Sequence, residues 1–167
     1  DVYNPETDPY IKRQYSVANA RAGKRENKDA LRAELGLRIK RGVPMIAMVT
    51  RLVEDKGLAL VTRIMDELVD DDVQLVLVGT GDAGYEEAFR ELARRHPTKV
   101  SANITFNEAL AHKVYAAADM FLMPSRYEPC GLSQLIALRY GAIPIVRETA
   151  SRIRSIPSIN TANRAMA

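Results

Sequence analysis

Two basic residues in one loop have the type and spacing needed to hold a diphosphate. Arg51 and Lys56 stand five positions apart in the stretch TRLVEDKG, between an apolar run and a helical pattern. An arginine binds phosphate oxygens through paired hydrogen bonds, and a lysine adds a compact charge beside them. The alternative is an ordinary charged surface, in which the neighbouring Glu54 and Asp55 pair with both cations.

The stretch SRYEPCGLSQL adds an acidic residue and a helix start. Gly131 allows close approach of the backbone, and the N–H groups near Gly131, Leu132 and Ser133 are unpaired at the first turn of a helix. Those groups and the helix dipole favour an anion. Glu128, placed just before them, either accepts hydrogen bonds from sugar hydroxyls or simply favours the helix N-terminus, and the residues alone leave both readings open.

A glycine-rich loop and one aromatic residue are the remaining candidates for ligand contacts. GTGDAG, which contains Gly79 and Gly81, matches the G-x-G-x-x-G pattern between a strand and a helix. The acidic residue expected about 20 positions later in a dinucleotide site is absent. A tight turn or a surface lining a nucleotide pocket is therefore favoured over an NAD site. Phe106 is either a core residue or a stacking surface for a flat ring.

Cysteine and histidine usage argues against metal and nucleophile chemistry. The one cysteine, Cys130, cannot form an internal disulfide and is expected to pack as a small apolar residue. The two histidines, His96 and His112, have no metal-ligating partner at a suitable spacing. We therefore expect no metal site and no Ser-His-Asp arrangement.

Short apolar runs alternate with helical patterns along most of the chain, and these elements must position the candidate residues. This alternation predicts an α/β fold, a Rossmann-like doubly wound parallel sheet with helices on both faces. Ligands bind such sheets at the carboxyl ends of the strands, where the candidate residues fall. The predicted strands are 44–50, 73–79, 99–106, 120–124 and 142–148, and the predicted helices are 24–36, 57–70, 84–96, 108–119 and 130–141.

The bulk composition suits one globular domain. The chain has 167 residues and a net charge of +3, with acidic and basic residues interspersed, so nucleic acid is not expected as a partner. No apolar run approaches the roughly 18 residues that a membrane span needs. The sequence begins without methionine, which suggests a fragment or a trimmed chain.

Longer stretches resemble a known family, the C-terminal donor-binding domain of bacterial glycogen synthases and plant starch synthases. The resemblance covers about residues 1–149. It is carried by VYNPETDPYI, GKRENKDALRAELGL, TRLVEDKGLALV and VLVGTGD, and above all by PSRYEPCGLSQLIALRYGAIPIVRET. It implies one half of a two-domain GT-B-type retaining glycosyltransferase, which moves glucose from ADP-glucose, or from UDP-glucose, to an α-1,4-glucan without a metal or other cofactor.

The resemblance also implies roles for individual residues. Arg51 and Lys56 match the pair that holds the donor diphosphate, and Glu128 matches the residue that contacts the donor glucose. Phe106 matches the ring stacked on adenine. The remaining matches are glycines lining the nucleotide pocket and a backbone segment touching sugar and phosphate: Gly79, Gly81, Cys130, Gly131, Leu132 and Ser133.

Three expectations concern the whole chain. Residues 1–149 form the donor-binding domain, with residues 1–23 as an irregular lead-in, and residues 150–167 form an atypical tail, because the family continues with T-G-G-L where this sequence has TASR. The acceptor site belongs to an N-terminal domain that is absent here, so the chain alone is expected to be inactive; the alternative is a non-catalytic binding or interaction domain. The family implies the bacterial cytoplasm or the plastid stroma.

Overall fold

A computed structural model of the protein describes residues 2–128 and 130–147. Five strands and five α-helices alternate along this part of the chain. The expected tail, residues 150–167, lies outside the described residues. The elements are α1 (Ala20–Leu35), β1 (Met45–Val49), α2 (Leu58–Asp70), β2 (Gln74–Val78), α3 (Ala83–Arg95), β3 (Val100–Asn103), α4 (Glu108–Ala117), β4 (Met120–Met123), α5 (Leu132–Arg139) and β5 (Ile143–Val146).

All five strands are parallel and form one sheet in the order β3-β2-β1-β4-β5. The chain starts in the middle, winds outward to β3, and returns across β1 to β4 and β5. The predicted doubly wound sheet is confirmed. The order reverses between β1 and β4, and ligands bind in the crevice at such a switch point.

Helices cover both faces of the sheet, as the sequence predicts. Successive strand residues enter opposite cores, because side chains alternate along a strand. Met45 and Ala47 belong to the core under α1, α4 and α5, whereas Ile46 and Met48 belong to the core under α2 and α3. Burial on both faces explains why the central strands read as continuous apolar runs rather than as alternating patterns.

The N-terminal segment is less irregular than expected. A 3₁₀ turn at Val17–Asn19 leads directly into α1, which begins at Ala20 rather than at residue 24. Gly23 lies inside this helix, and the position requires glycine because a Cβ there would sit 2.4 Å from the Cβ of Tyr15. Tyr15 is buried and donates a hydrogen bond of 2.8 Å to the carbonyl of Tyr140, so the segment is part of the core.

The far edge of the sheet, at β5, carries apolar side chains that nothing in the described part of the chain covers. Ile143 is 68% exposed and Ile145 is 41% exposed. The adjacent α5 exposes Leu132, Leu135 and Leu138. None of the helices in the described ranges is long and apolar enough to cross a membrane.

Candidate functional site

Two neighbouring cavities open at the carboxyl edge of the sheet, between the ends of β1, β2 and β4. They share three lining residues from the end of β1: Val49, Thr50 and Arg51. The first cavity, of about 190 Å³, includes Lys56, Ser125, Glu128 and Ser133. The second, of about 370 Å³, includes Tyr3, Gly79, Phe106 and Asn107. The two cavities therefore form a continuous site with a charged part and a more apolar part, joined at Arg51.

The charged part is organised by an ion pair between residues far apart in sequence. The Nζ of Lys56 lies 2.9 Å from Oε2 of Glu128, and the hydroxyl of Ser125 donates to the same oxygen at 3.3 Å. The side chains of Lys56 and Glu128 are mostly buried, with 14% and 23% of their surface exposed. Within residues 2–128 and 130–147, no hydrogen bond engages Oε1 of Glu128.

The pairing that the surface-charge alternative assumes is not found, because neither Glu54 nor Asp55 pairs with Arg51 or Lys56 among the described residues. Glu54 contacts Arg126 at 3.4 Å, and the backbone carbonyl of Asp55 accepts a bond from the Arg126 N–H at 2.8 Å. Arg51 is exposed and makes no ion pair with any residue that the structure describes. Arg51 therefore lines both cavities without a counter-charge from the described residues.

Close backbone contacts bring the loops after β1, β2 and β4 together. A Cβ at Gly79 would lie 1.8 Å from the carbonyl oxygen of Thr50, and one at Gly81 would lie 2.3 Å from that of Leu52. A Cβ at Gly57 would lie 2.1 Å from the carbonyl oxygen of Pro124. Gly79 lines the second cavity, whereas Gly81 bridges Leu52 beside it. The first two glycines of GTGDAG thus have a packing cause, whereas nothing lies within 4 Å of a Cβ at Gly84.

The start of α5 reaches the first cavity through Ser133. Gly131 precedes the helix in the left-handed conformation, with φ of 60°. Leu132 is 62% exposed. Cys130 is exposed, so the expectation that it packs as a small core residue is wrong. The chain turns through Gly131 into α5 at the rim of the site, which leaves the thiol at the surface.

Phe106 follows β3 and belongs to the apolar part of the site. The ring is 96% exposed, which excludes the core alternative. Its neighbours in the lining are Thr105, Asn107 and Glu108, from the loop before α4 and its first turn. Asn107 caps that helix by accepting a bond of 2.9 Å from the N–H of Leu110. The cap fixes the loop and leaves the ring open to a flat ligand.

A buried polar network that the sequence did not suggest lies beside the second cavity. Nδ1 of His112 lies 2.7 Å from Oδ2 of Asp8, and the hydroxyl of Tyr140 donates to the same oxygen at 2.5 Å. Tyr3, which lines the cavity, stacks on the His112 ring with centroids 4.2 Å apart. Burial, with the carboxylate of Asp8, raises the pKa of Tyr140 well above its usual range. No local pattern reveals this network, because its members come from distant parts of the chain.

Within the ranges that the structure covers, no group of three His, Cys, Asp or Glu side chains could hold a metal ion. His112 is committed to Asp8, and His96 ends α3, where its Nε2 lies 3.5 Å from Asp66. That the site works without a metal ion stays a prediction.

The fold and the site together define a Rossmann-like α/β domain with a cationic cleft at the carboxyl edge of its sheet. The sequence profile of the family described as "Glycosyl transferases group 1" matches residues 28–158. The chain belongs to this family of glycosyltransferases.

Curated relatives narrow the comparison. A glycogen synthase of Clostridium beijerinckii is 55% identical over 160 residues, which are 96% of this chain and 33% of the relative. A glycogen synthase of Geobacillus thermodenitrificans is 52% identical over the same shares of the two chains. The resemblance stated from the sequence is confirmed, and the chain spans about a third of the length of these relatives.

Solved structures give the same result. The catalytic domain of starch synthase IV from Arabidopsis thaliana, bound to ADP and acarbose, superposes with a TM-score of 0.84 at 36% identity, over 95% of this chain and 34% of that one. WaaG, a glycosyltransferase of lipopolysaccharide biosynthesis, matches with a TM-score of 0.55 at 22% identity, over 72% of this chain and 32% of that one. The second likeness supports the fold alone.

Proposed function

We propose that this chain is the donor-binding part of an α-glucan synthase of the glycogen and starch synthase type. It binds a nucleoside diphosphate glucose, ADP-glucose in preference to UDP-glucose, with the diphosphate at Arg51 and Lys56. The observation that carries the proposal is the meeting of the exposed Arg51, the Lys56–Glu128 pair and the start of α5 around one cavity. Relatives named glycogen synthase and a starch synthase structure bound to ADP support it.

The charges of the first cavity suit a diphosphate. Arg51 and Lys56 contribute two positive charges and Glu128 one negative charge, so the cavity carries a net charge of about +1 before the helix start is counted. Lys56 is held in place by Glu128 and needs little reorganisation to meet a phosphate. The backbone N–H groups at the first turn of α5 are further hydrogen-bond donors for the phosphate oxygens.

The carboxylate of Glu128 is arranged to hold a sugar. Its Oε2 already accepts bonds from Lys56 and Ser125, which fixes the orientation of the group. Its Oε1 is left for a glucose hydroxyl donating from the cavity. A carboxylate beside a phosphate site would repel the ligand unless it were screened by Lys56 and satisfied by such a hydroxyl.

The apolar cavity suits the nucleoside. Phe106 offers an exposed face for stacking on a base, and Gly79 allows the chain to pass close to the ribose side of the pocket. Because the cavities join at Arg51, a bound nucleotide would have its base near Phe106 and its phosphates near Lys56.

The chemistry follows from where charge develops. Breaking the bond between glucose C1 and the phosphate oxygen leaves negative charge on the diphosphate, which Arg51, Lys56 and the start of α5 stabilise in fixed positions. The acceptor hydroxyl attacks C1 from the face that the phosphate leaves. Its proton passes to the departing phosphate oxygen, and the configuration at C1 is retained. We propose that no metal is needed, because protein groups supply the positive charge.

The acceptor glucan and the rest of the catalytic apparatus would belong to a further part of the whole enzyme. The chain spans only 33% of the length of its curated relatives, so we expect the chain by itself to bind donor and to transfer little or no glucose. Transferase activity at ordinary enzyme concentrations would contradict this expectation.

A calorimetric titration with ADP tests the proposal, with UDP and NADH as competing nucleotides. We expect ADP to bind. Arg51→Ala should weaken ADP binding by about 10- to 100-fold, because charge-assisted hydrogen bonds to the diphosphate are lost. Arg63→Ala is the matched control, because Arg63 is also exposed, makes no ion pair among the described residues and lines neither cavity. An equal effect of both variants would contradict the role proposed for Arg51. Absence of nucleotide binding would support the alternative of a non-catalytic interaction domain that docks through the exposed face of α5 and β5.

A further inference from the structure

A stripe of four basic residues follows one face of α1, on the side of the domain away from the nucleotide site. Arg21, Lys24, Arg25 and Lys28 stand at i, i+3, i+4 and i+7, the spacing that places side chains on one face of a helix. They line an open groove of about 670 Å³. The groove is completed by Arg41, Gly42, Asp119, Gly141 and Ile143.

The acidic residues of α1 do not neutralise this stripe, although they are interspersed with it in sequence. Glu26 pairs with Arg13, and Asp29 pairs with Arg32 at 3.1 Å. Glu34 pairs with Lys113 at 2.8 Å. The structure thus sorts a mixed-charge sequence into a face with balanced ion pairs and a face that is cationic.

One carboxylate faces the groove, and it is already engaged. Both oxygens of Asp119 accept bonds from Lys28, at 2.6 and 2.5 Å. Arg21, Arg25 and Arg41 make no ion pair within residues 2–128 and 130–147. The undescribed positions contain only two acidic residues, Asp1 and Glu148, so the sequence offers few other counter-charges.

The arrangement costs stability in the absence of a ligand. Like charges at i and i+4 destabilise a helix, and Arg21 and Arg25 have this spacing without a counter-charge among the described residues. Between Lys24 and Lys28, which have the same spacing, the carboxylate of Asp119 offsets the repulsion. Lys24 is also drawn inward, where its Nζ donates to the carbonyls of Tyr140 at 2.8 Å and Ala116 at 3.1 Å. Lys24 and Lys28 are engaged by protein oxygens, so a bound anion would offset the repulsion by accepting hydrogen bonds from Arg21 and Arg25.

The groove is separate from the nucleotide site. Gly42 precedes β1, Asp119 precedes β4 and Ile143 begins β5, so the groove lies at the amino ends of the strands. The nucleotide site lies at their carboxyl ends, about 15 Å away by the rise of a five-residue strand. A diphosphate bound at Lys56 cannot extend into the groove.

We propose that this groove is a second anion site, which binds a small molecule carrying two or more phosphoryl groups. The stripe spans seven residue steps, or about 10 Å of helix, which suits a compact ligand rather than a long polymer. Arg41 adds a further positive charge to the lining of the groove, and Gly42 and Gly141 add backbone without side chains. Elsewhere in the described residues, basic side chains such as Arg38, Lys40 and Arg90 are paired with carboxylates, which does not favour nucleic acid as the ligand.

Inorganic pyrophosphate is the probe. The starting protein is the 167-residue chain carrying Arg51→Ala, which weakens anion binding at the nucleotide site. Binding is followed by NMR through the amide signals of Gly42 and Gly141, with Gly79 and Gly131 as reporters of the nucleotide site. The test variant adds Arg21→Gln and Arg25→Gln. The control variant adds Lys12→Gln and Arg63→Gln, which remove the same charge from positions outside the groove.

We expect shifts at Gly42 and Gly141 that saturate, at least a tenfold weakening in the test variant, and less than a twofold change in the control. Melting curves establish that both variants fold, and removing like charges from α1 should not destabilise it. Absence of saturable binding, or equal weakening in both variants, would overturn the proposal. So would tighter binding of a single-stranded oligonucleotide than of pyrophosphate, since that ligand belongs to a different class. None of these outcomes depends on whether ADP binds at Arg51.

Discussion

Gly57 connects the basic loop to α2 and packs against Pro124, in the loop that carries Glu128. Its φ is 72°, a left-handed conformation that costs a residue with a Cβ about 1–2 kcal/mol. A Cβ here would also lie 2.1 Å from the carbonyl oxygen of Pro124, which is backbone and cannot rotate away. Forcing atoms into a packed contact of this kind costs about 1–3 kcal/mol more.

Gly57→Ala is therefore expected to lower the free energy of unfolding by about 2–5 kcal/mol, and the melting temperature by on the order of 10 °C. Gly36→Ala is the matched control, because Gly36 has φ of 70° and nothing lies within 4 Å of the added Cβ. The control carries the conformational cost alone, about 1–2 kcal/mol. Urea unfolding of both variants separates the steric contribution from the conformational one.

The same substitution has a second effect that a purely structural glycine would not show. Moving the loop away from Pro124 lengthens the 2.9 Å contact between Lys56 and Glu128, so Gly57→Ala should weaken ADP binding while Gly36→Ala leaves it unchanged. Equal unfolding free energies for the two variants, within about 0.5 kcal/mol, would refute the argument from the Pro124 contact.

Three further predictions concern the pocket, the buried network and the basic groove. Phe106→Ala should weaken ADP binding by about 1–3 kcal/mol in a calorimetric titration, yet leave the melting temperature nearly unchanged, because the ring is 96% exposed. Tyr140→Phe should destabilise the domain by about 1–3 kcal/mol in urea, because Asp8 loses a buried donor; a neutral result would show that the 2.5 Å bond contributes nothing. Burial lowers the pKa of Lys24 to about 8, so above that pH the unfolded chain binds more protons than the folded chain. The free energy of unfolding of the unsubstituted chain should therefore rise by about 2 kcal/mol from pH 8 to about 10, relative to that of Lys24→Met. A difference between the two proteins that stays constant with pH would contradict the lowered pKa.

The elements were predictable because local patterns determine them. The central strands are apolar runs bounded by glycine, proline or charged loops, and the helices between them show regular apolar spacing, so their order and approximate bounds follow from the sequence. Apolar spacing did not predict every buried side chain of α2. Ile64 has the helical spacing of the apolar face but is 41% exposed, and Val69 is one of the buried residues.

The candidate site was predictable in its location and less so in its contacts. Arg51 and Glu128 follow strands of one parallel sheet, and carboxyl ends of parallel strands meet at one edge. That Glu128, rather than Glu54, pairs with Lys56 depends on how loops 72 positions apart pack, and no local pattern records it. The exposure of Cys130 depends in the same way on tertiary packing.

The hydrogen bonds from the N-terminal segment to Tyr140 also constrain how the domain folds. Tyr15 and Asp8 lie 125 and 132 positions from Tyr140, almost the full length of the described chain. During synthesis from the N-terminus, the segment before α1 is made long before α5. The buried polar groups of Asp8 and Tyr15 can form their hydrogen bonds to Tyr140 only after α5 has been synthesised. Contacts of such high sequence separation slow folding, since a long loop must close before they form. The wall of the second cavity that contains Tyr3 is thus completed late, when the N-terminal segment packs against Tyr140.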